Sequence, residues 1–424
     1  MLKLLYLVLD GVADRINGET SLEVAETPGL NELVSKAKCG LQYSIGKGIA
    51  PESDVAVISI LGYDPHKYYT GRGPLEALGV NIKIKEGIEV AFRANFATVD
   101  ADSEDLVILD RRCGRDLSSE EAKELAKAVD GLELGIDNGY VRVQSTVGHR
   151  GVIVLGSKLG LSDNVGNTDP AYAKVGKIST AKESYESKVS LCESLEDTSE
   201  AKRTAELANI FTRKALEILD SHPVNQKRES LDKLKGNILL LRDAGGSLPK
   251  VKPINEVFQA SFAAVTEMPV ENGVAKLLGM DAGEVSPPTE NKKADLEERL
   301  ESTEKLLEKH NVVYTHLKGP DEPGHDGDFK RKVQSIEEID RYFVRELLKH
   351  YDLSELAVLV TADHATPPEL KVHSDDPIPF MIAYEKLEPD NIKKFSEREC
   401  MKGSLGVIEH GWELLPMIMK MIRS

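Results

Sequence analysis

Cysteine is scarce in this 424-residue chain. The four present, Cys39, Cys113, Cys192 and Cys400, are scattered and form no C-x-x-C pair. That spacing speaks against a zinc ribbon or a disulfide framework and fits a reducing compartment. Positive charge is also in deficit: 54 Lys and Arg stand against 71 Asp and Glu, a formal net charge of −17. A general nucleic-acid or anionic-membrane binder is therefore not expected. An anionic ligand would need a local cluster of Arg, Lys or metal to overcome that field. No apolar run approaches membrane-spanning length. The opening MLKLLYLVLDG has too short an apolar stretch for a signal peptide and ends in an acid. A cytoplasmic protein is the expectation. The composition, 41% hydrophobic, 29% charged and 5% aromatic, is that of a globular chain, and its length predicts two domains.

What the chain does have is a series of short apolar runs that stop at polar residues. LKLLYLVL (2–9) ends at Asp10-Gly11, VVYTHL (312–317) precedes a polar loop, and LAVLVTA (356–362) ends at Asp363-His364. NILLL (237–241), GVIVLG (151–156) and PFMIAY (379–384) have the same form. Strands buried on both faces of a parallel sheet read this way. Helical periodicity lies between them. Leu207, Ile210, Phe211, Ala215, Ile218 and Leu219 share one face, with Asp197 and Glu200 at capping-box spacing before them. Leu296, Leu300, Leu306 and Leu307 form a second apolar face; Ile336, Ile339, Phe343, Leu347 and Leu348 form a third. The alternation predicts an α/β fold, a mostly parallel sheet flanked by helices. From about 84 to 235 the chain is richer in charge and Ser, with 157–200 loop-dominated. It reads as an inserted smaller α/β (α+β) domain, 84–235, within a core formed by 1–83 and 236–424.

The stretch THLKGPDEPGHDGD (315–328) gathers three Asp, one Glu and two His among glycines and prolines. In open α/β sheets ligands bind beyond the carboxyl ends of the strands. Asp10, the Asp321/His325 loop, and Asp363, His364 and His373 all follow such strands. Each segment taken alone is more often a plain strand stop or helix cap. Together they supply three Asp and three His, too many for one open catalytic ion and about right for two. Ser53, in PESDVAVISI, lies just ahead of an apolar helical segment, where the helix dipole favours an anion or alkoxide. A plain N-cap at Ser53 or Asp54 accounts for that segment taken alone.

The motifs D-G, P-x-S-D, D-x-x-x-H-D-G-D, T-A-D-H and H-S-x-D-P-x-P resemble those of the alkaline-phosphatase superfamily of metalloenzymes. Within it the chain is similar to the archaeal-type cofactor-independent phosphoglycerate mutases. That closer likeness rests on YYTGRGPLEALG (68–79), FRANFATV (92–99), DRRCGRD (110–116), GHRGVIVL (148–155), NTDP (167–170) and GSLGVIEHGWELLP (403–416). The resemblance covers nearly the whole chain. It implies an alkaline-phosphatase-like core and interconversion of 3-phosphoglycerate and 2-phosphoglycerate through a phosphoserine. It also implies two divalent cations per chain, Mn²⁺ first among Mn²⁺, Zn²⁺, Co²⁺ and Mg²⁺, with no 2,3-bisphosphoglycerate needed. Asp321, His325 and His373 would hold one cation; Asp10, Ser53, Asp363 and His364 would hold the other, with Ser53 the nucleophile.

A phosphoserine must be kept from water, which an inserted domain could do by capping the substrate. For the anionic substrate the sequence offers Arg93, Arg111, Arg115, Arg150, Arg242 and Lys318, with His149 as the candidate to move a proton. Where the family commonly has R-G-A-G this chain has Arg242-Asp243-Ala244-Gly245, a carboxylate that would oppose anion binding unless it points away. A phosphatase or another phosphosugar mutase of the superfamily would share the metal motifs but not the motifs of the insert. A non-enzymatic binding protein would be expected to have lost a ligand or the nucleophile. The sequence leaves monomer and homo-oligomer both open.

Overall fold

In a computed structural model that describes residues 2–175, 178–182 and 184–423, the chain divides into two compact units. The first comprises 1–69, 251–267 and 274–424; the second comprises 70–250 and 268–273.

The first unit is built on an eight-stranded sheet. Lys3–Leu9 lies at its centre, parallel to Val312–Leu317 on one side and to Leu356–Thr361 on the other. Every residue of Val312–Leu317 and Leu356–Thr361 is buried, as the unbroken apolar runs require of strands covered on both faces. Phe262–Val265 and Asp281–Ala282 extend one side in parallel. On the other side Ile378–Ala383 runs antiparallel to both its neighbours, Leu356–Thr361 and Ala37–Gln42, and Val407–Ile408 pairs with the latter in parallel. The sheet is thus mostly parallel and flanked by helices. Lys292–Lys309 buries Leu296, Leu300 and Leu307, and Phe329–Ile339 buries Ile336 and Ile339. The third apolar face continues through a π turn, Asp340–Val344, into Arg345–His350. The turn presents Asp340 to the start of helix Pro28–Val34, where its carboxylate accepts from Gly29 N (3.1 Å) and Leu30 N (2.7 Å). No helix among the described residues is long and apolar enough to cross a membrane.

The second unit carries a five-stranded antiparallel sheet. Glu89–Val99 pairs with Arg150–Gly156 on one side and with Ile238–Gly245 and Ile108–Asp110 on the other; Tyr140–Ser145 pairs with Arg150–Gly156. Val90, Phe92, Ala94 and Phe96 face a core closed by helices Ser119–Val129 and Ser199–Asp220. The opposite face packs Ala91, Val152 and Val154 against Ala77 of helix Arg72–Gly79.

Three sequence readings are corrected here. NILLL and GVIVLG lie in this antiparallel sheet and not in the parallel one; a run buried on both faces looks alike in either. The boundaries therefore fall near 70 and 250 and not at 83 and 236, because Ile238–Gly245 and Arg72–Gly79 both pack onto Glu89–Val99. The long helix is capped by Thr198, whose hydroxyl accepts from Ala201 N, and not by Asp197, which pairs with Lys202. The stretch 157–200 is mainly irregular, with a short hairpin, Tyr172–Val175 and Ile178–Ala181; residues 176, 177 and 183 of that reading lie outside the described residues.

One buried carboxyl in the first unit makes stability pH-dependent. Glu397 accepts from Asp14 N (2.8 Å) and Thr20 Oγ1 (2.6 Å), yet burial pushes its pKa up to about 7. The folded state then holds a proton that the unfolded chain has lost between pH 4.5 and 7, so stability falls as pH rises through that window. Urea unfolding is expected to show the wild type losing on the order of 3 kcal/mol there relative to Glu397→Gln.

Candidate metal centre and anion site

The strand register assembles the first group of side chains. Val8 is level with His316 and Thr361, and Leu9 with Leu317, so one residue on Asp10 stands level with Lys318 and Asp363. All three face out from the carboxyl edge. Asp10 Oδ2 lies 3.0 Å from Lys318 Nζ; burial works against its charge, but Lys318 holds the carboxyl well below the usual range. Asp363 Oδ1 accepts from Gly11 N (3.0 Å) and His364 N (3.1 Å). Each carboxylate thus has one oxygen engaged. The other two, Asp10 Oδ1 and Asp363 Oδ2, are buried with no hydrogen-bond partner. His364 Nε2 lies 3.6 Å from Asp10 Oδ1, 3.2 Å from Asp363 Oδ2 and 3.3 Å from Ser53 Oγ. Ser53 is the first residue of helix Ser53–Ile60, where the helix dipole favours negative charge.

The second group comes from helix Asp321–Asp326 and the loop after Asp363. Asp321 and His325 are four residues apart and so share a helix face. Asp321 Oδ1 lies 3.5 Å from His325 Nε2 and 3.4 Å from His373 Nε2, and the two Nε2 atoms are 3.1 Å apart. Gly11, at φ +57°, permits the close approach, since a Cβ there would sit 2.7 Å from Asp321 Oδ1.

The donor chemistry fits divalent cations. His325 Nδ1 meets Lys371 O at 3.0 Å and His373 Nδ1 meets Pro51 O at 2.7 Å. A carbonyl only accepts, so in each neutral ring the proton sits on Nδ1 and the lone pair on Nε2. Thr366 Oγ1 donates to Asp321 Oδ1 (2.7 Å) and therefore accepts from His364 Nδ1 (3.0 Å), which gives His364 the same tautomer. Two Nε2 atoms facing each other at 3.1 Å need a positive centre between them, either a cation or a proton on His373, whose pKa rises to about 10 because burial is outweighed by Asp321. The separations of 3.1–3.6 Å are also the edge lengths of a coordination shell: bonds of about 2.1 Å at tetrahedral angles set ligands roughly 3.4 Å apart. The structure brings together Asp321, His325 and His373 in one group, and Asp10, Ser53, Asp363 and His364 in the other.

Two neighbours escaped the sequence reading. His316, fully buried, points Nε2 toward Asp10 and Asp363. Its signal was available: it lies on strand Val312–Leu317 two residues before Lys318, which follows the strand's end, and period two puts both on one face. Thr366 gave no signal, since its role depends on loop geometry.

In the second unit the register places arginines together. Arg93 is opposite Arg242 and Asn95 opposite Arg150, so all three arginines lie on the sheet face away from the helical core. Arg72, also missed, joins them; its i,i+4 partner Glu76 lies 2.9 Å from Arg72 Nε and 3.7 Å from Arg93 Nε. Arg93 Nε is buried without a hydrogen-bond partner. Burial, then Arg72 and Arg242, lower the Arg93 pKa. Arg111 is held by Asp169 through two hydrogen bonds (2.9 and 2.6 Å), and Arg242 contacts the same carboxylate at 3.2 Å while stacking on Tyr172. Arg111 and Arg115, with Arg112, line a recess of about 300 Å³. The backbone there is strained: Cys113 and Arg115 take φ of 51° and 60°. His149 is buried, and burial together with Arg150 and Arg112 pushes its pKa down to about 3, so it is neutral at pH 7. Asp243 does not point away: Oδ2 lies 3.4 Å from Arg242 Nε.

Fold and site define an α/β protein with carboxylate–imidazole groups at the carboxyl edge of a parallel sheet. Comparison with known proteins narrows this. The sequence profile of 2,3-bisphosphoglycerate-independent phosphoglycerate mutase matches residues 35–225. A protein of that name from Aeropyrum pernix is 45% identical over 427 residues, covering 99% of this chain and 100% of the relative. A solved structure from Pyrococcus horikoshii superposes with a TM-score of 0.76 at 31% identity, covering 100% of this chain and 98% of the other. The cofactor-independent phosphoglycerate mutase of Thermoplasma acidophilum gives a TM-score of 0.61 at 30% identity over 99% and 100%. The chain belongs to the 2,3-bisphosphoglycerate-independent phosphoglycerate mutase family and is an enzyme.

Proposed function

We propose that the chain interconverts 3-phosphoglycerate and 2-phosphoglycerate by passing the phosphoryl group through Ser53. The observation that carries this reading is the position of Ser53: a hydroxyl at a helix N-terminus, 3.3 Å from His364 Nε2 and beside two groups of metal-type donors. Two divalent cations, Mn²⁺ first among the candidates, would supply Lewis acidity that lowers the hydroxyl pKa and offsets phosphoryl charge. Asp321, His325 and His373 would hold one; Asp10, Ser53, Asp363 and His364 would hold the other. Ser53 Oγ forms a bond to phosphorus while the ester bond to the glycerate oxygen breaks, and that oxygen takes up a proton. The other glycerate hydroxyl then gives up its proton, attacks phosphorus and releases Ser53 Oγ. Lys318, beside Asp10, is placed to bind a phosphoryl oxygen. The second unit is assigned the anionic substrate, through Arg93, Arg150 and Arg242, with Arg111 and Arg115 at the recess. His149 is the candidate to move a proton between the two hydroxyls, a role in which the substrate's anionic groups would have to offset the burial and the arginines that hold its pKa near 3. The four free, buried cysteines suit a cytoplasmic setting.

Metal-loaded protein incubated with 3-phosphoglycerate and no bisphosphoglycerate, followed by ³¹P NMR, is expected to yield 2-phosphoglycerate. Inorganic phosphate in its place would favour the phosphatase reading. Asp243→Gly removes a carboxylate that competes for Arg242 and relaxes a residue at φ +61°. Steady-state kinetics should show KM for phosphoglycerate falling roughly two- to fivefold, the equivalent of about 0.5–1 kcal/mol.

A further inference from the structure

We propose that His316 is an additional nitrogen donor to the cation held by Asp10 and Asp363. The inference rests on the two-cation reading above but concerns a residue which that reading leaves without a role.

His316 is completely buried on strand Val312–Leu317, and its ring cannot turn freely. Nδ1 lies 3.0 Å from Tyr314 Oη; Tyr314 packs edge-on against Tyr6 at 5.5 Å, and Tyr6 Oη donates to Ile60 O at the end of the helix that begins with Ser53. The arrangement aims Nε2 at Asp10 Oδ1 (3.7 Å) and Asp363 Oδ2 (3.6 Å). These are the two buried oxygens without a hydrogen-bond partner.

A structural role would look different. An imidazole N–H donating to a carboxylate closes to about 2.7–2.9 Å, and neither contact does. At 3.6–3.7 Å the atoms are too far apart to share a proton and close to the spacing of ligands on one ion. Both carboxylate oxygens are shielded from the surface and accept no hydrogen bond. With His364 on the other side, the buried group would offer two carboxylate oxygens, two imidazole nitrogens and the Ser53 hydroxyl. That nitrogen-rich set favours Mn²⁺, Co²⁺ or Zn²⁺ over Mg²⁺.

The test uses the full-length protein labelled with ¹⁵N-histidine, stripped of metal and reloaded with ¹¹³Cd, with bound ions counted by equilibrium dialysis. Two bound ions and four imidazole nitrogens coupled to cadmium, those of His316, His325, His364 and His373, are expected. In His316→Gln one coupling should vanish and the affinity for one ion should fall tenfold or more, with the other ion unaffected. Two bound ions with only three coupled imidazoles would overturn the assignment of His316 and leave the two-cation reading standing. Fewer than two bound ions in the wild type would overturn both. The wild-type spectrum decides the matter even where the variant does not fold.

Discussion

Ser53→Ala is expected to lower kcat on the order of 10⁴-fold or more while leaving KM nearly unchanged. The variant loses the only protein atom proposed to bond to phosphorus, but none of the cationic groups assigned to the substrate. Ser53 is also a proposed cation ligand, but Asp10, Asp363 and His364 remain to hold that ion, so the loss falls chiefly on the transition state. The fold should not suffer, because Ser53 provides no cap: the N-cap residue is Glu52 and makes no side-chain hydrogen bond to the helix. Initial-rate kinetics and urea unfolding on the same preparation separate the two effects. Normal turnover in a well-folded Ser53→Ala protein would eliminate the phosphoserine route.

Lys332→Met should cost the first unit about 3–5 kcal/mol. The ammonium is fully buried and bonded to Asp14 Oδ1 (2.6 Å), Ala13 O (3.2 Å) and Thr366 O (2.9 Å). Removing it strands the Asp14 carboxylate, which also accepts from Ser21 N at 2.6 Å, in a site with almost no access to water. The same change loosens Thr366, whose hydroxyl bonds to both His364 and Asp321. A shift in the urea midpoint is therefore expected together with weaker binding of divalent cations. A midpoint within error of the wild type would show that Asp14 finds another partner.

How much of this could be read from the chain follows from what kind of order each feature depends on. Strands that end in Asp10 and Asp363 declare themselves because an apolar run stopping at an acid is a local pattern. The Asp321–His325 pair is local too, one helical turn apart. Which sheet a buried run joins is not local: NILLL reads the same whether its partners lie parallel at the first strand or antiparallel at Glu89–Val99. His316 was hidden within an apolar strand, although the period-two rule applied to Lys318 would have exposed it. Arg72 and Glu76 stand at ion-pair spacing in YYTGRGPLEALG, but that they neighbour Arg93 depends on a helix packing across the sheet. Asp169 is another such case. Nothing about NTDP says that its acid will hold Arg111 and touch Arg242 from more than fifty residues away.

Thr366 has one hydroxyl proton, given to Asp321, and one lone pair engaged by His364. These two residues sit in different donor groups, so the rotor that links them can satisfy both only in a single orientation. Loss of that hydroxyl would therefore unfasten the Asp321 carboxylate and the His364 ring together.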